Sequence, residues 1–193
     1  MIHVSDLFYG TMVGGPHYGA LAIHLEIGSS GQSFSPRDLV RKIANFPQGP
    51  LFYDGGVPYQ GLHISGNLTQ AEPQDMFDFT KAIKDWGFRL AVTCDGQSIP
   101  PWFDHIDWKT VVIARDPWLM FACHEVRLIF EEENTPEPEL APGSSPLSYI
   151  IPSRKIDMSA VFAFIRGSKR AWKVLLTPAR YYRESMLKDE ADE

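Results

Sequence analysis

The spacing of apolar residues along the chain switches repeatedly between strand-like runs and helical periods, and the switches mark out alternating elements. The first 28 residues predict two strands. Behind Ser35-Pro36, Leu39, Val40 and Ile43 recur at helical spacing, and a proline suits the first turn of a helix. Asn45 to Pro50 ends that helix, residues 51 to 61 carry two glycine-rich turns, and Leu62 to Ser65 read as a short apolar strand. Pro73 opens the clearest helix. Its Met76, Phe77, Phe79, Ala82, Ile83 and Trp86 form a wide apolar face, and Gly87 stops it. Strands are predicted at Phe88 to Thr93, Thr110 to Ala114, Glu125 to Phe130 and Leu147 to Ile151. A helix from the N-cap Asp157 to Arg166 follows, with Val161, Phe162 and Ile165 inward, and Trp172 to Leu176 form the last strand. Strand-helix-strand order with short joints predicts an α/β chain with a mostly parallel sheet wound through right-handed crossovers.

Composition refines this picture. At 193 residues and 44% apolar, the chain suits a single domain with a substantial core, and no internal repeat is visible. Between about 131 and 146 the residues turn to Glu, Pro, Gly and Ser, which predicts a mobile surface loop, and about 183–193 form a charged tail. No apolar run has the length of a membrane helix and the start lacks a signal-peptide pattern, so a soluble cytoplasmic protein without a membrane partner is expected. Two cysteines, Cys94 and Cys123, fit a reducing compartment without a disulfide framework. The net charge of −6 argues against nonspecific nucleic-acid binding, although Arg166, Lys169, Arg170 and Lys173 form a local basic group.

Candidate chemistry is sparse. The six histidines show no H-x-x-x-H or H-x-H spacing, so no metal is expected. The weak exception is His24 and Glu26, which alternate onto one face of a strand, with His63 on a neighbouring strand; this is the candidate group for metal or acid–base work. Gly14-Gly15 and Gly55-Gly56 lack the frame of a phosphate loop.

A family resemblance organises the rest. The segment from Leu7 to Gly28, with Phe8, Gly15, Gly19 and Ala22, resembles the opening F-x-x-x-Q-G-E-G-x-x-x-G of 7-carboxy-7-deazaguanine synthases. These are radical S-adenosylmethionine enzymes of the queuosine and deazapurine pathway. Leu62-His63-Ile64-Ser65-Gly66 is similar to their V-x-I-T-G strand and turn, and Trp86-Gly87-Phe88 through Thr93 to their G-F strand and the E-T turn after it. Asp107-Trp108 through Val111 looks like their D-W-x-x-V strand, His124 to Leu128 like D-E-L-K-L, and Leu176-Thr177-Pro178 faintly like L-Q-P. The chemical letters differ. Met12 stands for the Gln, Gly14 for the Glu, Glu26 for the Arg, Ser30 for the first Cys, Asn67-Leu68-Thr69 for Gly-Glu-Pro, and Ala114 for the Lys.

The resemblance implies a partial, incomplete radical-SAM-like α/β barrel, C-terminally shortened, with its pocket beyond the carboxyl ends of the strands. A cleaving cluster needs three thiolates from one loop. With two separated cysteines the chain is expected to carry no iron–sulfur cluster, no other cofactor and no catalytic residue of that chemistry. Three functions stay open. The first is an inactive relative acting as a binding, regulatory or structural subunit, paired with itself or with an active relative; its interface would use Trp102, Phe103, Trp118, Phe121, Tyr181 and Tyr182. The second is a binder of a purine-like or nucleotide ligand, lined by carry-over with Ser65, Gly66, Asn67, Thr93, Asp95 and Arg127. The third is an enzyme of a different, non-radical class.

Overall fold

The computed structural model describes residues 1–12, 21–46, 52–54, 57–95, 100–114, 118–119, 122–132, 135–140, 145–153 and 156–175, with the backbone alone for 11, 52–54, 57–59 and 118–119. The elements run β1 (Ile2–Thr11), β2 (Leu21–Ile27), β3 (Gln32–Phe34), α1 (Pro36–Ala44), β4 (Phe52–Asp54), β5 (Val57–Gly66), α2 (Pro73–Asp85), β6 (Phe88–Asp95), β7 (Trp108–Ile113), β8 (Trp118–Leu119), β9 (Glu125–Phe130), β10 (Glu139–Leu140), β11 (Leu147–Pro152), α3 (Met158–Gly167) and β12 (Lys173–Val174). Short 3-10 turns occupy Leu68–Gln70 and Pro101–His105.

Nine strands lie side by side in the order β3-β1-β2-β5-β6-β7-β9-β11-β12, with β4 paired to β5 at its start. From β2 onward every pairing along this path is parallel, and only β1 and β3 run against their neighbours. From β1 onward the strand order rises with chain order, so each parallel crossover advances in one direction, and β3 alone turns back to the outer edge of β1. The sheet is open, with β3 and β12 at its edges among the described residues.

Side-chain alternation divides the sheet into two faces. Ile23, Leu25 and Ile27, then Leu62 and Ile64, Leu90 and Val92, Val111 and Ile113, and Val126, Leu128 and Phe130 point to one face. There they pack with Leu39, Val40 and Ile43 of α1, Met76, Phe79 and Ile83 of α2, and Val161 of α3 in one core. In β1 the parity changes midway. One extra residue, Ser5, sits between the pairs Val4↔Ile27 and Asp6↔Glu26, so Ile2 and Val4 face the core before the bulge and Leu7 and Tyr9 after it. The bulge turns Phe8 to the opposite face, where its ring stacks on His24.

The helix ends follow local chemistry. Ser35 Oγ caps α1 by accepting from Asp38 N, and Asp157 caps α3 by accepting from Ser159 N. Asp107 ties the start of β6 to α2: its carboxylate accepts from Leu90 N and from Lys84 Nζ, at 2.8 and 2.9 Å.

Several expectations need correction. Trp102 and Phe103 lie in the core at 1% and 3% exposure, because the Pro101–His105 turn packs them beneath α2, so they offer no contact surface. On α3 Val161 faces in, whereas Phe162 is 51% exposed. Trp86, at the carboxyl cap of α2, is 63% exposed. The described part of the 131–146 stretch is tied down rather than mobile. Glu137 accepts a hydrogen bond from Ser168 Oγ and pairs with Arg170, Arg170 also donates to Pro138 O, and Glu139–Leu140 pair with β8. Gln32–Phe34, assigned to no element from the sequence, form strand β3. Phe121, Tyr181, Tyr182, the 183–193 tail and Leu176 to Pro178 lie outside the described residues, as does the side chain of Trp118. No helix among the described residues is long and apolar enough to cross a membrane.

Gly66 closes β5 at φ +93°, where an added Cβ would lie 2.2 Å from the Ile27 carbonyl oxygen, the acceptor of Asn67 N. Gly87 has a similar φ of +86° but open space around it. Gly87→Ala is expected to cost about 1 kcal/mol, the left-handed penalty alone. Gly66→Ala is expected to cost more than about 2 kcal/mol because it also pushes β5 off β2, and urea unfolding of the two variants will measure the difference.

Candidate functional site

The face of the sheet opposite the helices carries the chain's mixed chemistry. Alternation aims Phe8, His24, Glu26, His63, Ser65, Thr93, Asp95, Trp108, Thr110, Glu125 and Arg127 to this side, while their strand neighbours seal the core. His24 and His63 are direct partners in the β2–β5 register. Their Nδ1 atoms stand 3.0 Å apart, and His63 Nε2 lies 2.8 Å from Thr93 Oγ1. A contact between two Nδ1 atoms needs one donor and one acceptor, so the two imidazoles share a proton along this line.

Burial sets their charge. Desolvation pushes His63 down to about 3, and the neighbouring His24 and Arg127 add to that shift. Burial also lowers His24, while the backbone of Gly10 pulls weakly the other way. His24 Nε2 lies over that backbone without a hydrogen-bond partner among the described residues. Both rings are therefore neutral at pH 7. Trp108 Nε1 is the other buried polar atom lacking a partner there, and its ring stacks on His124 at 5.0 Å.

Further along the same face, Arg127 Nε donates to Glu125 Oε1 at 2.5 Å. Glu125 is fully buried and the Arg127 side chain is 11% exposed. A basic residue inside an apolar strand needs a counter-charge, and it finds one two residues away on its own strand. Between these groups lies a cavity of about 10 Å³ lined by Met12, His63, Ala91, Thr93, Trp108, Thr110 and Arg127. That volume suits about one water molecule, whereas a purine-sized ligand needs a few hundred cubic ångströms.

The residues expected to line a ligand site separate into groups. Thr93 and Arg127 share the cavity, Ser65 and Asp95 lie on the same face, and Gly66 and Asn67 cap the end of β5. Asn67 is engaged locally, its Oδ1 accepting from Thr69 Oγ1 at 2.7 Å. Of the His24, Glu26 and His63 group, the two histidines meet, whereas Glu26 is in register with Ser65 two pairs further on. No trio of His, Cys, Asp or Glu among the described residues is arranged to hold a metal ion. Glu125, Thr110 and Trp108 were missed. The alternation of β7 and β9 onto the face of Arg127 is the signal that points to them.

Cys94 and Cys123 are both free. Burial pushes their thiols up to about 12 and about 11 respectively, so both stay protonated at neutral pH. No protein-family model matches the chain, and no curated protein shows significant similarity to it.

Two predictions follow from this geometry. Because both histidines titrate below their unfolded value of 6.5, their contribution to stability is complete above pH 6.5 and is lost as pH falls below it, for His63 down to about 3. The loss reaches up to about 1.4 kcal/mol per pH unit for each ring, and urea midpoints at pH 8, 6 and 4 will show a slope that His63→Gln flattens. Arg127→Met leaves the buried Glu125 carboxylate without its cation and is expected to destabilise the fold by about 3–5 kcal/mol. The double variant with Glu125→Leu is expected to recover part of that loss in the same assay.

Proposed function

We propose that the chain is a catalytically inactive relative of the 7-carboxy-7-deazaguanine synthases, kept as a binding, regulatory or structural subunit, and that its open sheet is a partial barrel of that type. The observation that carries this reading is the turn after β2. The resemblance puts the cluster cysteines here, and the turn closes at once: Gly28 N bonds to His3 O, Gly31 turns at φ +125°, and β3 then pairs with β1 from Gln32 to Phe34. Ser29 and Ser30 fill the turn. A three-thiolate cradle needs a longer loop and three cysteines, and the two that exist, Cys94 on β6 and Cys123 just ahead of β9, lie outside this turn with thiols held protonated.

The strand face supports the same reading. At the pocket end of the resemblance, Asn67 binds Thr69 and Arg127 binds Glu125, so groups that would meet a ligand are engaged within the chain. A partner would instead meet exposed apolar groups such as Trp86 and Phe162. Fold alone carries no activity once the reacting groups are absent.

Anaerobic reconstitution with ferrous iron and sulfide, followed by incubation with S-adenosylmethionine and a reductant, tests the loss of radical chemistry. The expected result is no bound cluster and no 5′-deoxyadenosine. A stoichiometric cluster with reductive cleavage would overturn the proposal.

A further inference from the structure

The His24–His63 pair has a use that the subunit reading does not absorb. Its two Nδ1 atoms converge at 3.0 Å across neighbouring parallel strands inside the sheet. Two imidazole nitrogens on one tetrahedral zinc ion, at bond lengths of about 2.0–2.1 Å, stand about 3.3 Å apart, so the pair needs to open by only a few tenths of an ångström. The outer ring nitrogen of His63 is supported as in metal-bound histidines, by the threonine behind it. His63 Nε2 lies 2.8 Å from Thr93 Oγ1, and His24 Nε2 is buried over the Gly10 backbone. The Phe8 ring, stacked on His24 at 5.1 Å, fixes the plane of that imidazole.

We propose that His24 and His63 form a two-imidazole site, through their Nδ1 atoms, for a divalent transition-metal ion of the zinc class, with water completing the coordination. Imidazole nitrogen selects such ions over magnesium and calcium, which take oxygen ligands. The proton balance closes within the site. In the metal-free pair one ring carries its proton on Nδ1 and the other on Nε2. Binding moves the single Nδ1 proton to the Nε2 of the same ring, and both imidazoles stay neutral. If that ring is His63, the moved proton is donated to Thr93 Oγ1 and the threonine hydroxyl turns away. Neither histidine has to lose a net proton, so at neutral pH the metal does not compete with one. Glu26, offset to Ser65, is not one of the ligands.

Zinc(II) titrated calorimetrically at pH 7 into the full chain, after dialysis against a chelator, tests the site. One ion per chain is expected, with affinity reduced at least tenfold by His24→Gln or by His63→Gln. His105→Gln, on the helix side against Phe77, is expected to leave the affinity unchanged. Long-range proton–nitrogen NMR of the histidines supplies a readout that general destabilisation does not move. The metal-free chain is expected to show one ring of the pair protonated on Nδ1, and the zinc form to show both protonated on Nε2. Absence of zinc binding, zinc affinity unchanged in both His24→Gln and His63→Gln, or a tautomer pattern unaltered by bound zinc would overturn the proposal.

Discussion

The structure depends on the two-residue alternation of its seven parallel strands, β2, β5, β6, β7, β9, β11 and β12. Once α1, α2 and α3 cover one face, every second side chain is committed to the core and its neighbours are committed to the other face. A slip of one residue would exchange the two sets. The polar groups on the second face therefore have to satisfy one another. His24 with His63, His63 with Thr93, and Glu125 with Arg127 are the outcome. The Ser5 bulge resets this parity in β1, so that Leu7 and Tyr9 stay against the core while Phe8 covers His24.

Much of this was legible in the residues. Helices with a proline at the first turn and a regular apolar face, α1 and α2, announced themselves, as did the strands around Leu62, Leu90, Val111 and Leu128. The parallel order followed from the strand-helix-strand rhythm. What stayed hidden depends on contacts distant in sequence. Gln32 to Phe34 have no strand character of their own and become β3 only because β1 offers an edge. Trp102 and Phe103 look like surface aromatics until the fold places α2 above them. The acidic loop is held by Glu137, whose partners Ser168 and Arg170 come some thirty residues later. In the site, the meeting of His24 and His63 could be suggested from alternation, but their pairing required the β2–β5 register. The partner of Arg127 lay two residues away on the same face of its strand.

The functional account rests on a contrast between frame and chemistry. The frame is an open, mostly parallel sheet with its helices on one face. In the proposed reading, the turn after β2, which joins β3 to β1, stands where a cluster loop would be. The polar groups of the opposite face bond one another around a cavity with room for about one water molecule. A chain built in this way presents a stable surface more readily than a substrate pocket.

Intact-complex mass spectrometry of the tagged chain, purified from its native source under conditions that retain small ligands, tests the subunit reading most directly. The account predicts a stoichiometric complex, with a second copy or with another protein, and no bound purine-like mass. A monomer carrying a stoichiometric small organic ligand would contradict it.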